Sequence, residues 1–91
     1  MNNNNENTKN IYNLKKSGTV YRARILPSVG IYDLDELVIR TVEDDYFVGV
    51  EKTTKTAFLL PYSSIDKTVF LKREEALKKV RDAETGKIEV V

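Results

Sequence analysis

The sequence predicts a mainly β domain, in which five short strands close into a small barrel and one helix is appended at the C-terminus. Three observations carry this prediction. Runs of β-branched and aromatic residues, four to eight residues long, recur from Thr19 to Leu71. Polar or proline-containing turns separate them. Only from Lys72 does the pattern change to a helical one, with Ala76, Val80 and Ala83 at i, i+4 and i+7 and Leu77 beside them.

Taken in order, the first thirteen residues include seven asparagines and little to bury, which predicts a disordered tail over residues 1–13 and a single domain over residues 14–91. Ile11, Tyr12 and Leu14 are the first side chains suited to docking on a fold. The first strand is Thr19–Leu26, with Arg22 and Arg24 on one face and Tyr21, Ala23 and Ile25 on the other. Pro27-Ser28-Val29-Gly30 breaks it. A long acidic connection, Ile31–Asp35, then leads into a second strand, Glu36–Val42. Glu43-Asp44-Asp45 makes a tight turn into the third strand, Tyr46–Lys52, and Thr53-Thr54-Lys55 turns into the fourth, Thr56–Leu60. Pro61 stops that strand for want of an N–H. Tyr62–Lys67 suits one 3₁₀ turn, Thr68–Leu71 a fifth strand, and residues 72–84 a helix with Glu74 and Glu75 in its first turn, where the helix dipole favours anions. Gly86 ends it. Residues 87–91 alternate weakly and read either as a sixth strand or as a frayed tail.

This order of strands, with a long first connection and a 3₁₀ turn before the fifth, resembles the SH3-like small barrel, a closure that removes exposed strand edges. The competing architecture is an open α+β antiparallel sheet with the helix on one face.

Composition excludes several chemistries. The 91 residues contain no cysteine and no histidine, so disulfides and the usual ligands of zinc, haem and iron–sulfur clusters are missing. No metal site and no cofactor is expected. Without histidine the serines lack an activating base, and the sequence predicts no catalysis. No apolar run approaches the roughly 20 residues that span a bilayer, and the asparagine-rich start lacks an apolar signal segment, so the expected location is the cytoplasm of a bacterial cell with no membrane partner. The oligomeric state is left open.

Net charge is +1, but unevenly spread: residues 1–30 carry +4, residues 31–51 carry −6 and residues 52–91 carry +3. Two candidate surfaces follow. The favoured one is acidic and binds a protein partner: Asp33 and Asp35 in the first connection, Glu36 at the start of the second strand, and Glu43, Asp44 and Asp45 in the next turn. A field of that sign steers association with a basic groove. Asp33-Leu34-Asp35 lacks the glycine and distal glutamate of an EF-hand loop, so cation binding is not expected. The alternative surface is a nucleic-acid one built from Arg22, Arg24, Lys52 and Lys55, with Tyr21, Tyr46 and Tyr62 as stacking platforms. A near-neutral chain disfavours it, because phosphate contacts need a basic excess. Proline-peptide recognition is disfavoured too, since no tryptophan is present to build the aromatic groove.

Ser64-Ile65-Asp66-Lys67-Thr68-Val69-Phe70-Leu71-Lys72-Arg73-Glu74-Glu75-Ala76 resembles a recurrent ending of small proteins from phages and mobile elements of low-GC Gram-positive bacteria. There a phrase Ile-Gly-Lys-Thr-Val-Phe-Leu-Thr-Arg-Glu-Glu-Ala precedes a short terminal helix. Tyr46-Phe47-Val48-Gly49 and Ala57-Phe58-Leu59 are compatible with the same group. This chain departs from the phrase at Asp66, where it has glycine, and at Lys72, where it has threonine, a residue that caps a helix as lysine cannot. The resemblance implies a phage or mobile-element origin and supports the fold. Small size, the missing catalytic groups, that setting and the acidic segment together predict a non-enzymatic inhibitor or modulator of a host protein complex, with anti-CRISPR-type inhibition as its specific form.

Overall fold

Alternation along the chain decides where each strand buries its side chains, and pairing decides which strands share a face. The structure is a computed structural model that describes residues 10–86. Its strands are β1 (Thr19–Leu26), β2 (Ile31–Val42), β3 (Tyr46–Glu51), β4 (Ala57–Pro61) and β5 (Val69–Phe70), followed by the helix α1 (Arg73–Glu84). They form one antiparallel sheet in the order β4-β3-β2-β1-β5.

The sheet is open, with β4 and β5 at opposite edges, so the architecture is the α+β alternative and not a closed barrel. The first connection departs from expectation as well. Ile31–Asp35 is not a loop but the first half of a 12-residue strand, paired with β1 from Leu26↔Ile31 to Thr19↔Val38. The turn is tight: Pro27–Val29 form one 3₁₀ turn, and Gly30, at φ +72°, donates its N–H to Pro27 O at 3.1 Å. That left-handed conformation suits glycine. Closing a barrel would require β4 to pair with β5, and β5 offers no free edge for it. β5 contributes only two residues, and its outer side is occupied by the Ile65–Val69 bridge and by the Asp66 N–H on Val69 O at 2.7 Å.

One face of the sheet holds Val20, Leu37, Ile39, Phe47 and Val69, which join Tyr62 and Ile65 in a buried cluster. The 3₁₀ turn Tyr62–Ser64 lays Tyr62 onto Phe47, with ring centroids 5.5 Å apart. Tyr12, Leu14, Val42, Phe58 and Leu60 pack around it. Gly49 makes this packing possible, since a Cβ there would stand 3.1 Å from the Cβ of Leu37.

The opposite face is covered by α1, which packs across β1, β2 and β5 through Ala76, Val80 and Ala83. Leu77 is half-buried. Lys72 precedes the helix without a side-chain cap, and the Lys78–Asp82 pair at 2.7 Å links successive turns. The Gly86 N–H closes the end on Ala83 O at 3.1 Å.

Residues 1–9 of the expected tail and the choice of strand or tail over residues 87–91 lie outside the described residues. Asn10 is bonded to Leu14 both ways, its Oδ1 accepting the Leu14 N–H at 2.8 Å and its Nδ2 donating to Leu14 O at 3.0 Å. Among the described residues no helix is long and apolar enough to cross a membrane.

Candidate functional site

The buried cluster fills only one end of its face. Further along the same alternation β1 places Arg22, Arg24 and Leu26, and β2 opposes them with Asp35, Asp33 and Ile31. The two strands whose charges are segregated in sequence are therefore zipped together in space. Arg22 Nη1 meets Asp35 Oδ2 at 2.7 Å, and Arg24 reaches Asp33 at 3.5 Å and Asp35 at 3.9 Å. The Arg22–Asp35 bond is charge-assisted and partly sheltered, with the aspartate side chain 14% exposed.

Arg22 also crosses the curled sheet. Its guanidinium carbon stands 4.6 Å from the centroid of the Phe58 ring on β4, a cation–π contact. Phe58 pairs with Gly49 on β3, and the missing side chain there clears the path. Arg22, Arg24, Leu26, Asp35, Glu51, Thr54, Thr56 and Phe58 line a cleft of about 360 Å³ open to solvent.

Glu51 shapes the rim. Its Oε1 accepts the Thr54 N–H at 2.6 Å and the Thr53 N–H at 2.9 Å, fixing the β3–β4 turn. The Thr54 backbone bond is the main cause holding the Glu51 carboxyl below its ordinary value.

The remaining candidates lie elsewhere. Glu36 points to the helix side of the sheet by alternation, where it meets Lys52 Nζ at 3.3 Å. Lys55 sits in the β3–β4 turn at φ +65°. Glu43, Asp44 and Asp45 form an exposed turn at the far end of the sheet. There the Tyr62 hydroxyl donates to Glu43 O at 2.6 Å. Burial first, and then the charges of Glu43, Asp44 and Asp45, push the Tyr62 hydroxyl above its ordinary value near 10.

The six acidic candidates thus divide into three places, and two of those places contain basic candidates as well. The placement of Asp33 and Asp35 in an exposed connection is corrected to strand β2, which Glu36 shares as expected. Tyr62, a stacking platform only in the alternative nucleic-acid reading, is a fully buried packing residue. Arg22 and Arg24 share a face as expected. Phe58, Glu51, Thr54 and Thr56 escaped the sequence reading. Glu51 carried a usable signal, being a carboxylate two and three residues before turn threonines whose N–H groups need an acceptor.

Comparison with protein-family models, with curated proteins and with solved structures finds no significant match to the chain.

Proposed function

We propose that the chain is a non-enzymatic protein-binding module whose docking face is the cleft around Arg22, Arg24, Asp33, Asp35 and Phe58. The observation that supports this reading is the charge-balanced ladder itself: two arginines and two aspartates alternate beside an aromatic ring on a sheet face that nothing among the described residues covers. The ladder itself is charge-balanced, and Glu51 at the rim of the cleft adds one negative charge. Such a surface does not track a phosphate backbone, which needs net positive charge. It suits the polar, pattern-matched contacts of a protein interface, in which arginine and aromatic side chains are the usual anchors. The resemblance of residues 64–76 supports a mobile-element setting and hence inhibition or modulation of a host complex, anti-CRISPR-type inhibition being its specific form.

The test is affinity capture from the cytoplasm of a low-GC Gram-positive host. The bait is the native chain or a double variant, Arg24→Asp with Asp33→Arg, which keeps the cross-strand pair while inverting its pattern. The native chain is expected to retain a host protein complex that the inverted variant loses. Equal capture by both, or retention of nucleic acid instead of protein, contradicts the reading.

A further inference from the structure

An open sheet has two edges, and here they are treated differently. The outer side of β5 is closed by the Ile65 bridge and the Asp66 bond. On β4, Thr56 O accepts the Glu51 N–H at 2.8 Å, which fixes the ladder parity. Thr56, Phe58 and Leu60 turn their backbone groups toward β3, while Ala57, Leu59 and Pro61 turn theirs outward. Ala57 and Leu59 present both donors and acceptors. Pro61 presents only its carbonyl, which already accepts the Ser64 hydroxyl at 2.7 Å and retains a second lone pair.

Side chains along this edge are apolar on the helix side. Leu59 is 66% exposed, Ala57 is exposed beside it, and Val48 and Val50 of β3 are half-buried next to them. α1 packs on β1, β2 and β5 and leaves this strip open.

We infer that β4 pairs antiparallel with β4 of a second copy of this chain, about a twofold axis at Leu59, to make one continuous ten-stranded sheet. The charges at the two ends of the strand select this occupant. At the Ala57 end lies the β3–β4 turn with Lys52 and Lys55. At the Pro61 end, through the Tyr46↔Pro61 pair, lies the turn Glu43-Asp44-Asp45. Among the described residues, Lys55 and these three acidic groups belong to no ion pair. Antiparallel pairing sets each basic turn beside the acidic turn of the other copy, twice over by symmetry, whereas parallel pairing sets like against like. About Leu59, the two leucines exchange both backbone bonds and bring their side chains together. Each Ala57 N–H then finds a Pro61 carbonyl, and the missing proline N–H falls at the end of the ladder, where it costs least. The cleft containing Arg22 and Asp35 stays open in this dimer, so the inference stands apart from the proposed docking face.

The experiment is sedimentation equilibrium of the full chain across a range of concentrations up to about 1 mM, the limit of weak but specific association. The native chain is expected to show a monomer–dimer equilibrium that weakens as salt rises. Leu59→Lys places two like charges at the axis on an exposed position and is expected to leave a folded monomer, its fold checked by circular dichroism. Lys55→Glu is expected to weaken the dimer by about tenfold or more, and adding Asp44→Lys and Asp45→Lys is expected to restore it. Because the chain has no cysteine, Leu59→Cys gives a clean crosslink, and oxidation is expected to trap the dimer. A native chain that stays monomeric, or a dimer indifferent to both Leu59→Lys and Lys55→Glu, overturns the inference.

Discussion

The two ends of one sheet face follow the same alternation and meet opposite fates. At one end Val20, Leu37 and Phe47 are dry, and at the other Arg22, Asp35 and Arg24 face solvent. β1 and β2 run through both ends, and the cover over them differs. Tyr62 and Ile65 close over the first end, and nothing among the described residues closes over the second. A strand pattern therefore fixes which side chains share a face, while the segment that folds across the sheet fixes which part of that face becomes core and which becomes a surface for recognition.

The largest effect is expected at the dry end. Phe47→Ala removes a fully buried ring from beneath Tyr62 and is expected to cost about 3–5 kcal/mol, read by chemical denaturation. Arg24→Ala, at the open end, is expected to stay within about 0.5 kcal/mol of the native chain, because its pairs are long and solvated.

The cover itself is tested next. Tyr62→Phe keeps the ring on Phe47 but leaves the Glu43 carbonyl without its donor, and is expected to cost roughly 1–2 kcal/mol. It also changes the pH dependence. The folded state holds the Tyr62 proton more tightly than the unfolded chain, so its contribution is complete below the unfolded value near 10 and declines as pH rises beyond it through the folded value. Stability measured from pH 8 to pH 11 is expected to fall less steeply for Tyr62→Phe than for the native chain.

Smaller effects are expected where the chain departs from the ending it resembles. Asp66 lies at φ +72°, a conformation that favours glycine, and Lys72 occupies the N-cap with no side-chain bond. Asp66→Gly is expected to stabilise by about 0.5 kcal/mol and Lys72→Thr by about 0.5–1 kcal/mol, each read as a raised Tm. A fall in Tm for Lys72→Thr would show that the helix start is held by something other than its cap.

Much of this was legible in the sequence. The bounds of β1 follow from its β-rich run, the helix from its apolar spacing, and the end of β4 from Pro61. The first connection misled because its acidity outweighed its alternation. Ile31, Asp33, Asp35, Leu37 and Ile39 form one stripe, and a strand tolerates aspartate when an arginine stands opposite. The register was written there as well, for Arg22 and Asp35, like Arg24 and Asp33, are equidistant from the Pro27–Gly30 turn. What no spacing reveals is the reach of Arg22 to Phe58, which depends on the curl of the whole sheet and on the gap left by Gly49. The division between open sheet and closed barrel was hidden for a similar reason, since it turns on how β5 and α1 dock and not on which residues form them.

Asp33 and Asp35 of the acidic stretch are neutralised across β1 and β2 by Arg22 and Arg24 instead of forming a separate face. A double-mutant cycle on folding stability with Arg22→Ala, Asp35→Ala and the pair tests it most directly. The ladder predicts a coupling of about 0.5–1.5 kcal/mol, shrinking in high salt, as for a partly sheltered charge-assisted bond. Additivity within about 0.3 kcal/mol would mean that the two side chains do not meet, and would return Asp35 to an exposed acidic surface.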